Sequence, residues 1–190
     1  MRLLIEALGF TGSVWFHAPL EGAALATHAR TAAAVESVLG PLEDAGTPHV
    51  TVFYMGRLDK NVAADSLPKI GDDAKAAFDG QSVTVSPMPV GWFEPSEASE
   101  GRTPIIMPLD APGFERINAR LLRRLMPYTD KQQFVDFKPH ASIGYLPRTM
   151  TAAEQQAVRR ILVPHFEWRV PSVRFSAGDK LLKTFRLAGA

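Results

Sequence analysis

Two stretches decide the fold: PHVTVFYMG at residues 48–56 and KPHASIGYL at residues 138–146. They share the pattern Pro-His-x-Thr/Ser-β-x-Tyr and stand half the chain apart, a weak internal repeat. Residues 49–55 are dense in β-branched and aromatic residues and read as a strand, and residues 139–146 read as another. Side chains two apart on a strand point to one face. His49 therefore shares a face with Thr51, and His140 with Ser142. The same count puts Gly144 beside His140 and Ser142, leaving room for a ligand, and puts Phe53 beside His49, where it could stack on a base or floor a cleft. Tyr54 and Tyr145 fall on the opposite parity and are assigned to the core.

Outward from these motifs, strand and helix patterns alternate. Residues 2–7 and 13–18 read as two strands around a Gly9–Gly12 turn. Residues 22–39 read as an alanine-rich helix with Leu25, Ala29, Ala32, Val35, Val38 and Leu39 on its apolar face, ended by Gly40-Pro41. A loop and helix follow over 61–79, and one or two strands over 82–94. Residues 95–103 read as a polar loop and 104–109 as a short strand. The clearest helix is 112–126, with Phe114, Ile117, Leu121, Leu122 and Leu125 on its stripe. A helix over 152–163 opens on Thr151 with Glu154 three residues on, the signature of a capping box. The tail, 166–188, reads as two or three strands with a Gly178-Asp179 turn. Interleaved helices with hairpin-like pairs at both ends argue against a purely parallel sheet.

Composition narrows the function. The chain has 190 residues, 46% hydrophobic and 22% charged, which suits a globular domain and excludes wholesale disorder. There is no cysteine, so disulfides, thiol catalysis and iron–sulfur ligation are excluded. The net charge is +1, so any anion is held by local groups and not by a global field. Glu6 interrupts the short apolar run at the N-terminus, which reads as a strand and not a signal peptide. No run of residues approaches a membrane span, and the expected location is cytoplasmic. No carboxylate pair has metal-ligand or glycosidase-like spacing, so neither a metal nor another cofactor is expected.

Two strands that each carry an imidazole and a hydroxyl suit phosphoryl chemistry. A hydroxyl donates to a phosphate oxygen, and a histidine donates, accepts or transfers a proton near neutral pH. The pair of motifs resembles the 2H phosphoesterase superfamily, named for two His-x-Thr/Ser motifs, and the order of elements resembles that family over most of the chain. The resemblance implies an α+β, bilobal fold over residues 1–190. In it, two antiparallel sheets with outer helices flank a central cleft. It implies metal-independent phosphodiester chemistry, with His49 and His140 as general base and acid in unassigned order, and Thr51 and Ser142 holding the phosphate. Ser142 stands where threonine is more usual, which keeps the donor. The substrate implied is a nucleotide, oligonucleotide or RNA end: a 2′,3′-cyclic phosphate, a 2′–5′ linkage or a cyclic oligonucleotide. A phage-type enzyme against cyclic oligonucleotide immune signals and a non-catalytic RNA-binding module that kept the cleft are the alternatives. No obligate protein partner is expected.

Other residues carry weaker expectations. Trp92-Phe93, in a segment that runs beside the cleft in this family, reads first as core packing, with base stacking the alternative for which Trp92 is the candidate. Lys138 and Arg148 flank the second motif and could meet a phosphate. Arg116, Arg120, Arg123 and Arg124 read as the wet side of a helix. His17, His28 and His165 lack a hydroxyl two residues on and are set aside, His28 as solvated.

Overall fold

A computed structural model describes residues 12–133 and 136–189; the strand expected over 2–7 lies outside them. Among the described residues there are nine strands: β1 (Ser13–Pro19), β2 (His49–Arg57), β3 (Thr84–Pro87), β4 (Gly91–Trp92), β5 (Thr103–Asp110), β6 (His140–Leu146), β7 (Trp168–Arg169), β8 (Ser172–Ala177) and β9 (Lys180–Arg186). Four α-helices lie between them: α1 (Gly22–Leu39), α2 (Leu67–Phe78), α3 (Pro112–Leu125) and α4 (Ala152–Arg159). The strands form a curled sheet in the order β7-β3-β5-β6-β2-β1-β8-β9, with β4 on β5, and every pairing among the named strands is antiparallel. The two half-sheets expected of a bilobal fold thus join edge to edge where β2 meets β6. That seam is a single register pair, Val50 with Ala141.

One face of the sheet is apolar. Val14, Phe16 and Ala18 of β1, Val50, Val52 and Phe53 of β2, and Met107 and Ala141 pack with Phe114, Ile117, Leu121 and Leu125 of α3. A second cluster joins Val35 and Leu39 of α1, Ile105, Leu146 and Val158 of α4. The helices form where their apolar stripes and caps predict. Pro112 opens α3, and the Thr151 hydroxyl accepts from the Glu154 amide while Glu154 reaches back to the Thr151 amide. The β8–β9 turn uses Gly178 at φ 56°, a left-handed conformation open to glycine.

Three expectations change. Helix α4 ends at Arg159, short of residue 163, where Pro164 holds Val163 away from the helical region. Helix α1 buries Ala24, Thr27, His28, Thr31, Val35 and Leu39, so its inward face carries polar groups, and Leu25 is 41% exposed. His28 is therefore not solvated: its Nε2–H donates to the Ser142 carbonyl at 2.8 Å.

The third change concerns parity. Strand β2 is bulged twice against β1: Phe16 faces Phe53 and His17 faces Thr51, so Val52 is the extra residue, and a second slip adds Met55. Strand β6 is bulged against β5, where Ile105 faces Gly144 and Ile106 faces Ser142, so Ile143 is extra. Each motif therefore carries a bulge directly after its hydroxyl, and side-chain parity flips there. Phe53 and Gly144 turn away from the histidines, and Tyr54 and Tyr145 turn toward their face. The bulges are bonded from the helices: Asn118 of α3 donates to the Val52 carbonyl at 2.7 Å, and His28 of α1 to that of Ser142. Thr129 bonds the Met55 carbonyl at 2.5 Å.

Candidate active site

The antiparallel register of Val50 with Ala141 aligns His49 with Ser142 and Thr51 with His140 on one face. All four are half-buried, whereas Val50 and Ala141 between them are fully buried on the other. Each histidine is held in the same way. His49 Nδ1–H donates to the Thr47 carbonyl at 2.7 Å, and His140 Nδ1–H donates to the Lys138 carbonyl at 2.7 Å. A carbonyl only accepts, so Nδ1 carries the proton and Nε2 is the free nitrogen of each neutral ring. The prolines serve this arrangement. A residue before proline is held extended, and the Pro48 and Pro139 carbonyls accept from Leu20 and Leu109 at 3.0 and 2.9 Å. The backbone that aims each ring is thus tied to the neighbouring chain.

The surroundings differ. His49 Nε2 accepts from the Thr51 hydroxyl at 3.2 Å. Trp15 meets the ring edge-on at 4.5 Å and stacks on His17 at 4.1 Å, and His17 lies 5.6 Å from His49. His140 instead meets Phe93 edge-on at 5.0 Å. Burial pushes both imidazoles below the ordinary histidine value, against the carbonyl bonds that raise them; the charge of His28 adds to this at His49, and that of His49 at His140. His17 is lowered to about 4 by burial first, then by His49 and Arg174. At neutral pH all three rings are neutral.

The remaining expected residues are spread out. Phe53 is 2% exposed and lies in the main core, because the bulge at Val52 turns it inward. A Cβ on Gly144 would stand 2.7 Å from Leu42 Cβ and 3.0 Å from the Glu43 carbonyl, so its bareness admits the 42–43 segment and not a ligand. Trp92 packs on the second core cluster with Arg159 over its ring at 5.1 Å; its neighbour Phe93 is the aromatic that reaches a histidine. The Lys138 ammonium is exposed and paired with Asp136 at 3.2 Å; the backbone carbonyl of Lys138 is what touches the site. Arg148 is bonded twice to Glu154, at 2.6 and 2.8 Å, at the start of α4. Trp15 and Ser176 join the site without having been singled out for it, His17 joins it after being set aside, and of the pair Trp92-Phe93 it is Phe93 that reaches the site. Trp15 and His17 alternate on β1 with the buried Val14 and Phe16, which is the pattern that could have marked them. Among the described residues, His, Asp and Glu form no group of three that could hold a metal ion, and no helix is long and apolar enough to cross a membrane.

Comparisons with known proteins agree with this architecture. The family model of the 2′-5′ RNA ligase superfamily matches residues 18–180. The chain belongs to that superfamily, the 2H phosphoesterases. Among solved structures it is similar to TT0787 of Thermus thermophilus, at 16% identity and TM-score 0.67, covering 94% of this chain and 99% of that one. It is similar to Escherichia coli LigT, solved with 3′-AMP, at 13% identity and TM-score 0.61, with 94% and 99% covered. It also resembles Kluyveromyces marxianus Usb1, solved with uridine monophosphate, at 15% identity and TM-score 0.58, with 94% and 98% covered. At these identities the likeness is one of fold. No curated protein matches the sequence.

Proposed function

We propose that the protein is a metal-independent phosphodiesterase that cleaves a nucleotide or RNA phosphodiester by two-histidine acid–base catalysis. The observation that carries this reading is the paired histidine device: each Nδ1 is locked on the carbonyl two residues back, leaving each Nε2 unprotonated on a face shared with Thr51 and Ser142. A neutral Nε2 takes the proton of an attacking water as its oxygen bonds to phosphorus. The other ring, protonated, gives a proton to the ribose oxygen as the opposite P–O bond breaks. Thr51 and Ser142 donate to the non-bridging oxygens, and Phe93 offers an aromatic surface beside His140. The nucleotides bound by LigT and Usb1 are in keeping with such a substrate.

The test is a turnover panel of 2′,3′-cyclic mononucleotides, 2′–5′ oligoadenylates, and cyclic di- and trinucleotides, each run with and without EDTA. EDTA-resistant hydrolysis of one class, lost in His49→Ala, is the expected result. Cleavage of the cyclic oligonucleotides alone would place the enzyme against signalling nucleotides and not RNA ends. Activity that disappears with EDTA and returns with manganese or zinc, or that survives His49→Ala, would overturn the mechanism.

A further inference from the structure

We propose that the flank of the cleft formed by His17, Arg174 and Ser176 seats a second phosphate, so that the preferred substrate is an oligonucleotide and not a lone mononucleotide. This rests on the phosphodiesterase reading and narrows it.

Strand β8 pairs with β1 so that Trp15 faces Ser176 and His17 faces Arg174. On its other edge β1 pairs His17 with Thr51 and Trp15 with Tyr54. Cross-strand partners share a face, so Arg174 and Ser176 lie on the face that carries Thr51 and His49. Ser176 is buried, with its Oγ 3.1 Å from His17 Nε2. Trp15 Nε1 and His17 Nδ1 are buried with no hydrogen-bond partner among the described residues, and orphaned polar atoms are rare enough in folded proteins to need a reason.

Arg174 is the telling residue. It is half-buried, yet no carboxylate lies within ion-pair distance of it among the described residues. Of the other half-buried arginines, Arg102 is paired with Glu43 and Glu100, whereas Arg120, on the outer side of α3, has no carboxylate within ion-pair distance among the described residues. A partly desolvated cation without a counter-charge is costly, and its charge is felt at His17, which it helps to keep neutral. A guanidinium two residues from a buried hydroxyl, on the same face of one strand, suits the oxygens of a phosphate, which arginine binds with two parallel bonds. The opposite flank, where Pro108 pairs with His140 and Ile106 with Ser142, is apolar. The cleft is therefore polarised, with an aromatic and apolar side for a base and a cationic side for an anion. Two strand spacings, about 10 Å, separate β8 from β2, and the long arginine side chain shortens that gap. A phosphate adjacent to the reactive one in a nucleotide chain can occupy it.

The experiment compares a 2′,3′-cyclic mononucleotide with a dinucleotide that ends in the same cyclic phosphate and carries one internal phosphate. The intact chain should favour the dinucleotide in kcat/KM. Arg174→Gln should cut that preference about tenfold or more, the range of a lost charge-assisted bond, and Arg174→Lys should keep much of it. A parallel titration, by tryptophan fluorescence, measures binding of the 3′-phosphorylated dinucleotide against the nucleoside 3′-monophosphate, with thermal unfolding as the control for folding. A folded Arg174→Gln protein whose dinucleotide preference equals that of the unaltered chain would overturn the inference while leaving the phosphodiesterase reading intact. No turnover of either substrate, with tighter binding of the dinucleotide that depends on Arg174, would do the reverse.

Discussion

His49 and His140 are held by the same backbone bond, yet they sit in different company. His49 has a hydroxyl on its free nitrogen and an indole and a second imidazole around it. His140 has a phenyl edge and an apolar strand. Backbone carbonyls set tautomer and aim, which are the properties the two motifs share. Neighbouring strands set what lies alongside, which is the property that differs. The repeat supplies two imidazoles aimed in the same way, and their flanks are unequal.

The sharpest way to break the comparison is to remove each ring in turn. His49→Ala and His140→Ala should each lower turnover about 10²–10⁴-fold, and the double variant should be only slightly worse, since groups acting as a unit are not additive. Both rings titrate below the ordinary value of about 6.5. Catalysis needs one neutral and one protonated, so the bell-shaped kcat/KM profile should peak on the acid side of that value. Steady-state rates across pH check both, and a single variant of full activity would sink the pairing.

Two phenylalanines give the next contrast. Phe53→Ala empties a core site and should cost about 3–5 kcal/mol in denaturant unfolding. Phe93→Ala should leave stability nearly unchanged and raise KM instead. The same shift of stability in both would deny Phe93 its place at the cleft.

His17 tests the polar flank by pH. Its folded value, about 4, lies below its unfolded value near 6.5. The unfolded chain therefore binds the extra proton first, and stability falls as pH drops from about 6.5 toward 4. Solvent screening at a partly exposed ring limits the loss to the order of 1–3 kcal/mol. His17→Gln should flatten this part of the pH dependence of the melting temperature; an unaltered slope would show that His17 does not carry it. The smallest effects belong to the hydroxyls. Thr51→Ala and Ser142→Ala each remove a neutral donor of about 0.5–1.5 kcal/mol, or roughly 2–13-fold in kcat/KM, and a loss as large as that of a histidine would give them another role.

Much of this is legible in the sequence. The spacing of Phe114, Ile117, Leu121 and Leu125 marks α3, and the Thr151–Glu154 box marks the start of α4. Period-two alternation pairs His49 with Thr51 and His140 with Ser142. What escapes depends on contacts distant in sequence. Ser176 meets His17 across 159 residues, and Arg174 stands beside it only because β8 returns to the edge of β1. The buried polar face of α1 follows from His28 reaching Ser142, for which helical periodicity offers no sign. Strict alternation misplaces Phe53 and Gly144 because it runs straight through a bulge.

That bulge gives the repeat a grammar. A plain strand returns to the same face at every even step, but here the face-sharing positions are the histidine, the second residue after it and the fifth. One slipped residue converts an even count to an odd one. The spacing His-x-Thr/Ser-x-x-Tyr thus records a three-dimensional phase shift in one dimension, and it does so twice, at 49–54 and at 140–145. Deleting Val52 or Ile143 would remove only the slip: the strand would alternate plainly, and the histidine, the hydroxyl and the tyrosine would keep the face they share.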